Sequence, residues 1–177
     1  MREQDINKVA RAIDFAKQAH KDHKRKYTGE PYFNHLWEVM NIVRSVESDD
    51  DMLSAALLHD TVEDTATTND DLKKEFGPRI AKLVDELTDI SKPEDGNRAT
   101  RKAIDRNKLA GVSADAQTIK LADLISNSKD IQKNDPKFAK VYMQEKALLL
   151  DVLTRGNSSL LKQAQDIVAN YFGQTKK

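Results

Sequence analysis

In the stretch "AALLHDTVEDTATT" (residues 55–68) an apolar run ends at Leu58 and gives way to His59, Asp60, Glu63 and Asp64. Residues three and four apart share a face of an α-helix. If a helix runs that far, His59 lies above Glu63, and Asp60 lies above both Glu63 and Asp64. The resulting patch holds one imidazole and three potential negative charges. Like charges drawn out of water raise one another's pKa unless a cation sits among them, and a divalent metal is the economical cation. The chain has four histidines and no cysteine, which excludes disulfides and thiolate metal sites. Any metal must take imidazole and carboxylate ligands.

Neighbouring ligands on one turn are too few for a catalytic ion, so others must come from elsewhere in the fold. His35 enters a helix just after a Gly/Pro loop, among Phe33, Leu36 and Trp37. Asp123 interrupts the apolar segment "IKLADLI", where a carboxylate requires a partner. Each has a plainer reading: His35 as a helix-start packing residue, Asp123 as a salt-bridge partner. His20 and His23 fall in a Lys-rich stretch and read as solvated.

The elements that must position these residues are helical nearly throughout. Ile6, Val9, Ala10, Ile13 and Ala16 form the stripe of a first helix from about Asp5 to Asp22. "KRKYTGEPYFN" (residues 24–34) is a loop punctuated by Gly29 and Pro31, and a second helix follows with Leu36, Val39, Met40, Val43 and Val46 inward. Ser48 and three aspartates open a third. Thr68 with Asp71 has the spacing of a capping box, and Gly77-Pro78 ends one helix and starts the next. "SKPEDGN" is the longest polar loop. A basic helix spans Arg98 to Gly111, and Ser113 caps the helix carrying Asp123. Asp135-Pro136 opens another that ends near Gly156, and a last one runs to Tyr171. The expectation is an all-α chain of about eight or nine helices.

Lys plus Arg equals Asp plus Glu at 29 each, so no overall field recruits nucleic acid. No run of about 18 apolar residues exists to span a bilayer, and the N-terminus lacks a signal-type apolar core. The expected location is cytoplasmic.

Four motifs together, in order, carry a resemblance. "RKYTGEPYFNH", "AALLHDTVEDT", "EFGPRIAKLVDELT" and "KLADLISN" resemble the corresponding elements of the HD-domain metal-dependent phosphohydrolases, within the RelA/SpoT-like branch of small alarmone (ppGpp) hydrolases. The match covers roughly residues 13–130, and the helices at 135–172 resemble the family only loosely. Leu36 stands where the family usually has Pro, and Ser126 where an aromatic or His often precedes the Asn. The resemblance implies a single HD-type bundle over 1–177 and one Mn²⁺ held by His35, His59, Asp60 and Asp123. Glu63 and Asp64 would handle the nucleophilic water and its proton. The implied reaction cuts the 3′-diphosphate of (p)ppGpp to GDP or GTP plus pyrophosphate. Other readings are hydrolysis of a different nucleotide or dinucleotide phosphate, and a nucleotide-sensing module without turnover.

The substrate is then a small nucleotide, and its phosphates need cations beyond the metal. Arg25 and Lys26, in the loop before His35, are the first candidates. Arg98, Arg101 and Lys102 come second, with a solvated helix face as their plainer role. Asn127, one turn beyond Asp123, could read ribose or base. Tyr142 could stack on the base, although a core tyrosine is the commoner role.

Overall fold

The computed structural model describes residues 3–174, with side chains from residue 8. Among them are nine α-helices of eight residues or more and one four-residue helical turn, with no strand beyond an isolated Lys24–Pro31 bridge. No helix among the described residues is long and apolar enough to cross a membrane. The chain divides into two compact units, Met1–Thr88 and Asp89–Lys177.

The first unit holds α1 (Glu3–Ala19), α2 (Phe33–Arg44), α3 (Asp50–Leu58), the turn α4 (Thr61–Asp64), α5 (Asn69–Phe76) and α6 (Pro78–Leu87). Every residue of α3 from Met52 to Leu58 is buried. A helix apolar all round belongs inside a core, and α3 packs on α1, α2 and α6. Asp49 caps it, accepting from the Met52 N–H at 3.0 Å, and the Ser54 hydroxyl is satisfied by the Asp50 carbonyl. The Thr68/Asp71 capping box starts α5, and Pro78 opens α6.

The second unit holds a 3₁₀ turn (Pro93–Asp95), α7 (Arg98–Ala110), α8 (Ala114–Asn134), α9 (Pro136–Leu150) and α10 (Ser158–Gln174). The central helix is α8, against which α9 and α10 pack. The α9 helix ends at Leu150, earlier than the expected boundary near Gly156. Gly156 serves close packing instead: a Cβ there would lie 2.6 Å from Leu121 Cδ1 on α8. Its amide neighbours are tied to the same helix, with Arg155 N–H donating to Gln117 Oε1 and Asn157 N–H to Thr118 Oγ1, both at 2.9 Å.

Candidate active site

The helix does not continue through the histidine–aspartate pair. His59 caps α3, and Asp60 sits at φ −101°, ψ 0° before α4 begins. That is the sparsely populated bridge region, where backbones turn and site residues gather. The Thr61 hydroxyl closes the break by donating to the Leu58 carbonyl at 2.7 Å. The chain therefore bends at the chemistry-bearing residues. The Asp64 N–H still reaches the Asp60 carbonyl at 3.0 Å, which keeps Asp64 one turn beyond.

His59 is buried, and its Nδ1 lies 2.6 Å from the Ala56 carbonyl. A carbonyl can only accept, so Nδ1 carries the proton and Nε2 presents a lone pair. Nε2 stands 3.2 Å from Asp60 Oδ2. The same carboxylate oxygen accepts from the Tyr32 hydroxyl at 2.6 Å. His35, on the first turn of α2, is 1% exposed, with its ring 5.8 Å from that of His59 and 5.5 Å from that of Tyr32. Two imidazoles and a carboxylate thus meet inside the first unit, with one histidine's tautomer set by its backbone partner. Such outer contacts orient metal ligands and raise their basicity.

Tyr32 was not singled out in the sequence, yet it organises this half of the site. The loop before it folds back on itself, with Arg25 N–H donating to the Glu30 carbonyl at 2.8 Å and Tyr32 N–H to the His23 carbonyl at 2.9 Å. Gly29, at φ +72°, makes the turn, a left-handed conformation that costs glycine little. Beside the loop, Asp22, His23, Lys24, Tyr32 and Asp64 line an open cavity of about 480 Å³.

His20 and His23 are not both solvated. His20 is 2% exposed, its Nδ1 lies 3.0 Å from His23 Nδ1, and its ring is 5.1 Å from that of Tyr32. Burial is the largest cause that lowers the His20 pKa to about 4. Asp60 opposes this, while His23, His59 and His35 reinforce it. His20 is therefore neutral near pH 7. Its position was legible in principle, since Ala12, Ala16 and His20 repeat at four-residue spacing on the buried face of α1.

Glu63 and Asp64 are exposed at the rim. Desolvation first, and then the charge on Asp60, push the Asp64 carboxyl above the usual carboxylate range, with His23 and His59 opposing. Arg25 is half-buried, with Nη1 3.7 Å from Glu38 Oε2, and the Lys26 ammonium lies 5.1 Å over the Tyr27 ring.

In the second unit Asp123 is 8% exposed on α8. Its Oδ2 lies 3.1 Å from Lys120 Nζ, and its Oδ1 accepts from Asn127 Nδ2 at 3.0 Å. Asp123 thus carries an ion pair, and Asn127 uses its amide to steady that carboxylate. Tyr142 requires correction as a base-stacking residue. It is 5% exposed, its hydroxyl lies 3.3 Å from Ser128 Oγ, and Phe138 and Lys146 occupy its ring surroundings. Its ring belongs to the core. Arg98 is committed as well, donating through Nε and Nη2 to the Glu145 carboxylate at 2.6 and 3.0 Å.

An all-α chain with a histidine–aspartate pair at a break between helices defines a recognisable class. A family model described as HD domain matches residues 12–152, and the chain belongs to this family. Among its relatives, the guanosine-3′,5′-bis(diphosphate) 3′-pyrophosphohydrolase MESH1 of Drosophila melanogaster is 40% identical over 133 residues, 73% of this chain and 72% of that one. The Homo sapiens protein of the same name is 32% identical over 167 residues, 92% of each chain. A relative with the same enzymatic name from Aquifex aeolicus is 38% identical, but this chain spans only 18% of its length. A solved structure described as a metazoan ortholog of SpoT that hydrolyzes ppGpp superposes with a TM-score of 0.83 at 32% identity, over 93% of this chain and 95% of that one. A Listeria monocytogenes structure shares the fold at a TM-score of 0.65 and 24% identity.

Proposed function

We propose that this protein is a metal-dependent hydrolase that removes the 3′-diphosphate of guanosine 3′,5′-bis(diphosphate), releasing pyrophosphate. The observation that carries the reading is the tethered His59 imidazole, its Nε2 turned toward Asp60 beside buried His35. Nitrogen and carboxylate donors without thiolate fit a first-row divalent ion, and Mn²⁺ is the ion we assign. His35, His59 and Asp60 would hold it, with Asp123 of the second unit as the fourth ligand. Similarity to named pyrophosphohydrolases over nearly the whole chain supports the substrate.

When bound, the ion lowers the pKa of water and offsets negative charge on phosphoryl oxygens. The chain's own groups do the rest. Asp64, with its pKa raised by burial and by the charge of Asp60, suits a group that takes the proton of the attacking water, and Glu63 beside it orients that water. Water adds at phosphorus, the bond from phosphorus to the 3′-oxygen breaks, and that oxygen takes up a proton. Arg25 and Lys26 meet the phosphates of the substrate.

The test is a panel of nucleotides incubated with the Mn²⁺-loaded protein, alongside His35→Ala, His59→Ala and Asp123→Ala variants. Consumption of guanosine 3′,5′-bis(diphosphate) ahead of other nucleotides is expected, with metal and activity lost together in each variant. Full metal content and rate in His35→Ala would overturn the ligand set. Binding of the nucleotide without turnover would overturn the hydrolase.

A further inference from the structure

Three helices of the second unit close around a small space that the proposed chemistry leaves unused. Lys102 and Arg106 of α7, Lys120 of α8 and Lys146 of α9 line a cavity of about 40 Å³, together with the apolar Leu109 and Leu149. A water needs roughly 10–15 Å³ of such volume, so the space admits about three non-hydrogen atoms.

The acids of the same helices are held by other groups. Asp105 accepts from the Ile90 and Ser91 N–H groups at 2.9 Å each and from the Ser91 hydroxyl at 2.6 Å. Glu145 is held by the Arg98 fork, and Asp123 lies 3.1 Å from the Lys120 ammonium. Asp89 also lines the space and is exposed. Lys146 has no hydrogen-bond or ion-pair partner among the described residues; its ammonium lies 4.8 Å over the Tyr142 ring. Burial first, and then the charges of Lys120 and Lys102, bring the Lys146 pKa down to about 7 against the pull of Asp123 and Glu145. At pH 7 roughly half of such an amine is uncharged, about a thousandfold more than in an ordinary lysine. A desolvated amine beside other cations is an activated nucleophile.

We propose that Lys146 is an acceptor of carbon dioxide, its Nζ forming a carbamate inside this cavity. The Nζ lone pair attacks the carbon of CO₂, one carbon–oxygen π pair moves onto oxygen, and Nζ releases a proton to solvent. No oxidant, reductant or further reactant is needed. The added group is one carbon and two oxygens, which the space admits. Carbon dioxide is small and uncharged, so the leucine wall does not bar it. The product is an anion, and Lys102, Arg106 and Lys120 supply the cations that hold it. An aldehyde adduct is neutral and would leave those charges uncompensated, and a larger acyl group exceeds the space. The carbamate also gives Lys120 a second anionic partner beside Asp123. Neither the metal nor the nucleotide enters this inference.

The test equilibrates the protein with ¹³C-labelled bicarbonate near neutral pH and then adds triethyloxonium, which fixes a carbamate as its ethyl ester. Peptide mass spectrometry locates the label. Lys146 should carry at least tenfold more than Lys137 and Lys140, exposed on the same helix. Lys102→Met, with folding verified by thermal melts, should carry about tenfold less label at Lys146 than wild type. Should that variant fail to fold, Arg106→Gln takes its place. No fixed label on Lys146 would overturn the proposal, as would equal label on all three lysines. Undiminished label in the folded cation variant would overturn it too, because the cation cluster is what holds the product. A ¹³C resonance from the protein with no fixed lysine would mean a bound bicarbonate ion only, and the acceptor role would fall.

Discussion

Replacing Tyr32 by phenylalanine tests how the site is held together. The ring would stay between His20, at 5.1 Å, and His35, at 5.5 Å, so only the hydroxyl is removed. That hydroxyl donates to Asp60 Oδ2 at 2.6 Å, a charge-assisted geometry. Hydrogen bonds to charged groups contribute about 1.5–3 kcal/mol. At about 1.4 kcal/mol per tenfold, the loss is roughly 10- to 100-fold in an equilibrium that needs the carboxylate in place. The same range is typical when an outer partner of a metal ligand is removed. A competing effect exists, because a carboxylate freed of its donor is a more basic ligand. The structure favours the loss, since Asp60 lies in a bridge-region backbone and Tyr32 is what fixes its oxygen beside His59. The assay is a Mn²⁺ titration of chelator-treated wild type and Tyr32→Phe. Weaker binding by 10-fold or more is expected. Unchanged or tighter binding would refute the claim that Tyr32 positions Asp60.

His20 makes the metal-free protein sensitive to acid. Its folded pKa of about 4 lies below the 6.5 of a free imidazole, so the unfolded chain binds the extra proton as pH falls through that window. Stability present above pH 6.5 is therefore lost on acidification, by about 2.5 kcal/mol at pH 4.5 from the linkage relation. Urea melts at pH 7 and 4.5 should show this loss in wild type and a smaller one in His20→Gln; equal losses would remove His20 as the cause. Glu63→Gln and Asp64→Asn should lower kcat by about 10²–10⁴ with Mn²⁺ content retained. Activity restored in both by excess Mn²⁺ would leave the pair no proton-handling role. Because the Asp64 pKa is raised, the acid limb of the kcat–pH profile should lie above the ordinary carboxylate range and disappear in Asp64→Asn.

Features set by neighbours in sequence were readable, and those set across the fold were not. The Thr68–Asp71 box and the Ser113 cap depend on partners three residues away, and each forms as its spacing implies, whereas the third helix takes its cap from Asp49 rather than Ser48. His59, Asp60 and Asp123 stood out because polar groups interrupt apolar runs. The break between α3 and α4 did not, because the bend is stabilised partly by Tyr32, 28 residues upstream in a loop. His20 was concealed by the lysines around it, although its spacing from Ala16 marks a buried face. Gly156 looked like a helix terminator, whereas its role is the close approach to Leu121.

The most direct measurement is phosphorus NMR of guanosine 3′,5′-bis(diphosphate) incubated with the Mn²⁺-loaded protein. Pyrophosphate and GDP should form in equal amounts, with no inorganic phosphate and no reaction in His59→Ala. Stepwise release of inorganic phosphate would rule out pyrophosphate release, and an unchanged substrate in the presence of fully metal-loaded wild type would rule out the hydrolase.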